Sequence, residues 1–204
     1  MAFPTTGILD DFNRADENPL SGGGNWGDRN ANNDLQLLGN QAAGTAANVL
    51  NSRYWAASTF GPDCEVYYSV PVINVAPDYL RLWLRIQNPG AANETGYMMQ
   101  WLNSSAGCTI FKETAREAYT QLATLSTPRF AANDQIGMEA IGTTITVYQN
   151  GTSVLSTTDA TTTGAGYIAI GCRSTVFRLD DFGGGTSVTA AASKPKSLLT
   201  MGVG

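Results

Sequence analysis

Between Tyr79 and Ile86 two sets of side chains alternate. Leu80, Leu82, Leu84 and Ile86 form one face; Tyr79, Arg81, Trp83 and Arg85 form the other. If the leucine face is core, the second face is exposed. Aromatic rings stack on sugar faces, and guanidinium groups donate forked hydrogen bonds to hydroxyls or carboxylates. This is the chemistry of a glycan-binding surface. Glu65, Tyr67, Met98 and Gln100 join it if their strands share the sheet. A second reading has a loop, the chain's tail or a neighbouring subunit covering the same face.

Hydrolysis of a glycosidic bond needs two carboxylates facing one cleft. The glutamates stand at 17, 65, 94, 113, 117 and 139, and Glu65 and Glu139 each sit alone on a strand. The chain has no histidine, which excludes a Ser-His-Asp triad and a histidine-containing zinc site. Gly22-Gly23-Gly24 precedes no helix and is no phosphate loop. Cys64, Cys108 and Cys172 lack metal-ligand spacing and read as buried thiols.

Composition narrows the partners. The net charge is −5, and Lys194 and Lys196 lie near the C-terminal end, so the body repels phosphate backbones and nucleic acid is not an expected partner. No apolar run approaches the ~20 residues of a membrane span, so no membrane is expected either. The start of the sequence shows no basic segment followed by an apolar one, so synthesis in the cytoplasm without a signal peptide is expected.

The elements that position these residues are strands. Charged residues make up only 14% of a chain of 204 residues holding 22 glycines, a balance that favours strands and turns. Alternation marks strands at 63–70, 79–86, 96–102, 108–112, 136–141, 144–149, 153–156, 167–170 and 176–182. Asn150-Gly151 between two of them signals a type I′ hairpin. Residues 113–123 carry helix-spaced charges, but Thr114, Tyr119 and Thr120 favour loop plus strand. The segment Leu9-Asp10-Asp11-Phe12 recurs as Leu179-Asp180-Asp181-Phe182. Many short strands at this spacing predict an all-β, two-sheet antiparallel sandwich over residues 1–185. Residues 186–204 read as a linker and an apolar tail. Its Leu198, Leu199, Met201 and Val203 either dock on the domain itself or add to a neighbour's sheet edge.

Four stretches in this order resemble one family: Trp55 to Val66, Asp134 to Gly142, Thr144 to Gly151, and Gly166 to Gly171 continuing to Asp180-Asp181-Phe182. With Asp10 to Asp16 and Trp26, they resemble concanavalin A-like (laminin-G-like) jelly rolls over about residues 7 to 185. The variety encoded by tailed bacteriophages and by some bacterial glycan-binding modules is the most similar. The fold hosts lectins, glycosidases, adhesion modules and virion proteins, so it does not by itself fix a function.

The resemblance implies that first and last strands lie side by side, joining the two Leu-Asp-Asp-Phe copies. Asp10, Asp11, Asp180 and Asp181 would then gather, as ligands for a structural calcium or as partners of Arg14 and Arg178. Leu and Phe are three apart, so they are expected on opposite faces of an ideal strand, with one Asp of each pair outward and the other needing a partner. Family members that hydrolyse glucans carry Glu-x-Asp-x-Glu on a strand, and this sequence has none. The expectation is a non-enzymatic virion structural protein, a capsid decoration or tail or fibre component, contacting other virion proteins and copies of itself. The alternative is a glycan-binding module for host or surface attachment.

Overall fold

Period-two alternation becomes strand at each expected place. The computed structural model describes residues 2–29, 34–74, 78–103, 107–127 and 129–188. Its strands are β1 (Ile8–Asp10), β2 (Trp26–Asp28), β3 (Leu35–Leu37), β4 (Ala42–Gly44), β5 (Asn51–Trp55), β6 (Cys64–Val72), β7 (Tyr79–Gln87), β8 (Thr95–Leu102), β9 (Cys108–Ala115), β10 (Ala118–Leu125), β11 (Asp134–Ile141), β12 (Thr144–Gln149), β13 (Thr152–Thr158), β14 (Tyr167–Cys172) and β15 (Arg178–Thr186). The helix-spaced charges at 113–123 belong to a β9–β10 hairpin, with Glu117 at φ 61° in its turn. Asn150 and Gly151, at φ 50° and 75°, make the tight β12–β13 turn that their residue types predict.

The strands form two antiparallel sheets. One has eight strands in the order β13-β12-β11-β6-β15-β4-β3, with β1 also on β15; the other has seven, β10-β9-β8-β7-β14-β5-β2. Val66, Tyr68 and Val70 of β6, with Ile136 and Met138 of β11, meet Leu80, Leu82 and Leu84 of β7 and Met99 and Trp101 of β8 in one dry core. Each such side chain contributes about 1.5–3 kcal/mol of burial free energy. Cys64, Cys108 and Cys172 are buried free thiols; burial pushes Cys64 up to about 11 and the other two to about 12.

The terminal strands do lie side by side. Ile8 faces Gly183 and Asp10 faces Phe182, with an irregularity between. The expectation that Leu and Phe of each copy take opposite faces is corrected. Asp181 has φ 49°, and the β6–β15 register shifts between Asp180 and Gly183. The bulge turns the strand so that Leu179 and Phe182 are both fully buried. In the first copy Phe12 has φ 54° and is likewise buried, against Trp26. Phe182 packs at 4.6 Å from Trp26 and 5.7 Å from Trp55, so the seam closes on an aromatic cluster.

The last strand reaches Thr186, opposite Cys64, and the Ser187 amide donates to Asp63 O at 3.0 Å. Pairing thus continues through Thr186, one residue beyond Gly185. Leu198, Leu199, Met201 and Val203 lie outside the described residues.

Candidate binding face on the seven-stranded sheet

The leucine face of β7 is core, so its other face is the outer surface of the seven-stranded sheet. Adjacent strands set the neighbours. Arg81 stands beside Gln100 of β8 and Gly171 of β14, and Trp83 beside Met98 and Ala169. Tyr79, Arg81, Trp83 and Gln100 therefore share one surface, as expected.

Three expected members are elsewhere, the first being Glu65 on β6 of the other sheet. Tyr67 lies on β6 in the other sheet, where its hydroxyl donates to Thr6 O at 2.9 Å. Arg85 leaves the surface because β7 bulges: its φ is 52°, and pairing with β8 shifts between Leu84 and Gln87. The slip exchanges faces. Ile86 joins Trp83 and Met98 in an outer apolar cluster, while Arg85 is buried and donates to the carbonyls of Pro62, Gly142 and Thr162.

The surface is also not bare. Trp83 is 0% exposed, and the Arg29 guanidinium lies 4.0 Å over its ring. Arg29 is itself buried between two carboxylates: Nη2 donates to Glu113 Oε1 and Oε2 at 2.9 and 2.8 Å and pairs with Glu94. Backbone amides complete the group, Gly90 N donating to Glu94 Oε2 and Glu117 N to Glu113 Oε1. Burial works against the Arg29 charge, yet Glu113 and Glu94 hold its pKa above the ordinary value. Burial, and the like charge of Glu113 behind it, push Glu94 up to about 7. No local pattern in the sequence brings Arg29, Glu94 and Glu113 together. Arg29 follows no alternation, and the meeting of Glu94 with Glu113 depends on how β8 registers with β9.

Beside this covered centre runs a half-buried strip. Arg81, itself buried at 9% exposure, is held flat by Gln100, whose Oε1 accepts from Nε at 2.9 Å and Nη2 at 2.7 Å. Its Nη1 donates to the Tyr119 hydroxyl at 3.2 Å, and its guanidinium lies 4.5 Å from the Tyr79 ring and 5.1 Å from that of Tyr119. Phe111 extends the strip, 5.9 Å from Tyr119. Tyr79, Gln100, Phe111 and Tyr119 each keep part of their surface in water. Burial pushes the Tyr119 hydroxyl up to about 12, so it stays a neutral donor and acceptor. Deeper in the face, the Trp83 Nε1–H and the Ser52 hydroxyl are buried with no hydrogen-bond partner among the described residues.

The four aspartates do not assemble. Asp10 Oδ1 accepts from Arg14 Nη1 and Phe12 N, and Oδ2 from Trp26 Nε1 at 2.7 Å, so its carboxylate is turned inward and spent. Asp11 and Asp181 are exposed; Asp180 is half-buried and accepts from Asp181 N. Burial, and the nearby charges of Asp181 and Asp11, raise the pKa of Asp180. Arg178 pairs with none of them and donates to the carbonyls of Thr175, Val176 and Phe177. Among the described residues no three His, Cys, Asp or Glu side chains come together to hold a metal.

Glu65 and Glu139, expected to stand alone, face each other across β6 and β11. Of the two, Glu139 keeps part of its surface in water. Glu65 is buried under Thr5 and Thr6, and Glu139 accepts from the Tyr148 hydroxyl at 2.9 Å.

No family model and no curated protein sequence matches the chain. Solved structures do. The carbohydrate-binding module CBM66 from Bacillus subtilis has a TM-score of 0.62 at 14% identity, over 79% of this chain and 96% of that one. Bacillus licheniformis β-glucanase has 0.57 at 11%, over 89% and 99%. A legume lectin-like domain from Entamoeba histolytica has 0.55 at 9%, over 80% and 91%. The architecture is the concanavalin A-like and galectin-like jelly roll of lectins and glucanases. Among the described residues no helix is long and apolar enough to cross a membrane.

Proposed function

We propose that this protein is a non-catalytic glycan-binding module that works through the outer face of its seven-stranded sheet. One observation carries the reading: Arg81 is locked flat by Gln100 and Tyr119 between partly exposed rings of Tyr79 and Tyr119. A planar donor held beside aromatic platforms matches a sugar, whose ring edges carry hydroxyls and whose faces are apolar. Rigid placement lowers the entropy lost on binding. Carbohydrate binding in a structural neighbour supports the reading by analogy of fold.

A non-catalytic role is supported by the state of the carboxylates. A glycosidase presents two to an open cleft. Here Glu94 and Glu113 are buried on Arg29, and Glu65 is buried beneath Thr5 and Thr6. We place the module on a tailed-phage virion, among other virion proteins and copies of itself, on the strength of the sequence resemblance. Finding the chain in purified particles tests that setting.

The direct test of binding is a glycan array probed with wild-type protein and Arg81→Ala. Saccharides retained by the wild type and lost by a folded Arg81→Ala support the reading. Saccharides retained equally by both overturn it.

A further inference from the structure

The outer face of the eight-stranded sheet carries a second built feature, independent of the glycan reading. Residues 3–6 lie across β6, β11 and β12. The Glu65 carboxylate, 0% exposed, accepts from the amides of Thr5 and Thr6 at 2.7 and 2.6 Å and from their hydroxyls at 3.1 and 2.6 Å. Tyr67 donates its hydroxyl to Thr6 O at 2.9 Å. The Phe3 ring stacks on Tyr148 at 4.1 Å, with an angle of 2° between the planes. It sits where β11 has Gly137; a Cβ there would run into the Phe3 ring. Gly183 makes the same allowance for Tyr67.

This is how proteins read a peptide. Backbone N–H groups go to a fixed acceptor, a backbone carbonyl goes to a fixed donor, and one aromatic side chain enters a slot cut to size. A buried carboxylate needs such donors, since leaving it without them is costly. The link from this arm to β1 is short, since Ile8 already pairs with Gly183. An ideal Cβ on Gly7 meets no heavy atom within 4 Å, and Ile8 beyond it is 53% exposed. The arm is thus tightly read at its end and joined to β1 through one residue, Gly7, whose Cβ side is open and whose carbonyl accepts from Gly184 N at 3.4 Å.

We infer that this face is a peptide socket for the Phe3–Thr6 segment, and that it accepts the same segment from a second copy of the chain. Exchange of an identical element between copies adds no new contact type and joins copies into dimers. Within one chain the tethered arm competes at an effective concentration on the order of 1 mM, so the wild type favours its own arm when dilute.

Two full-length variants separate arm from socket. Phe3→Ala with Thr6→Ala keeps the socket and disables the arm. Gly137→Ala keeps the arm and blocks the slot, with Glu65→Gln as the substitute if Gly137→Ala does not fold. Each alone is expected to be monomeric by native mass spectrometry and analytical ultracentrifugation. Mixed at up to about 1 mM, they are expected to form a one-to-one heterodimer. A synthetic peptide of residues 2–7 is expected to bind the first variant and not the second. Two folded variants that stay monomeric when mixed, or a peptide bound equally by both, overturn the proposal.

Discussion

The Arg29 guanidinium lies 4.0 Å over the Trp83 ring while its Nη2 bridges Glu94 and Glu113. That contact divides the outer face of the seven-stranded sheet. Its centre is a sealed ion cluster on an indole, and the accessible chemistry moves to the strip around Arg81. The division is also a source of fragility, because buried charges depend on one another.

Removing Arg29 leaves two buried carboxylates without their cation. Arg29→Met is expected to lower unfolding free energy by about 3–5 kcal/mol, read from urea titration. Replacing Glu94 and Glu113 by glutamine in the same chain is expected to recover part of that loss, since no charge is then left alone. Equal losses in the single and triple variants would show that Arg29 acts by packing on Trp83 alone.

The same cluster sets a pH dependence. Glu94 is raised from 4.5 to about 7, so in that window the folded state holds a proton that the unfolded chain has lost. Stability is therefore expected to fall as pH rises from about 4.5 through about 7. Glu17 runs the other way. Burial opposes its charge, but bonds from Arg14, Gly22 and Ser21 outweigh burial and hold it at about 2, so its contribution is lost as pH falls from 4.5 through 2. Melting temperature should peak between these slopes. Glu94→Gln should flatten the upper slope and leave the lower one; an unchanged upper slope assigns it to another group.

The two aspartate pairs are expected to respond differently to mutation. Asp10→Ala removes the acceptor for Arg14, Trp26 and the Phe12 amide and should cost about 1.5–3 kcal/mol or more by chemical denaturation. Asp181→Asn should cost under about 0.5 kcal/mol, because asparagine tolerates its φ of 49° and the side chain is exposed. Calcium should leave the wild-type melting temperature unchanged, since Asp10 is already spent. A calcium-dependent rise that Asp181→Asn abolishes would restore the metal site.

Much of this was legible in the sequence, and what was not has identifiable causes. Leu80, Leu82 and Leu84 mark the core face of β7 by alternation alone, and Tyr79, Arg81 and Trp83 follow. The pattern breaks at Arg85, where a bulge exchanges the faces. Gly96 and Gly166 flank that bulge, and a Cβ on Gly166 would collide with the Arg85 backbone. An isolated glycine beside a strand pattern is the available warning. The Asp181 bulge is signalled the same way by the glycines that follow it. Arg29 could not be placed, since it reaches Trp83 from the end of β2 through tertiary packing. Glu65 and Glu139 became neighbours only through the β6–β11 register, which no local spacing encodes.

The central claim rests on the strip where Gln100 and Tyr119 hold Arg81. The most direct measurement is calorimetric titration of a saccharide retained on the array into wild type, Arg81→Ala and Gln100→Ala, with melting temperatures recorded alongside. The predicted result is saturable binding to the wild type, a loss of at least about tenfold in both variants, equivalent to about 1.4 kcal/mol, and cooperative melting in all three. Wild-type affinity in both folded variants would contradict it.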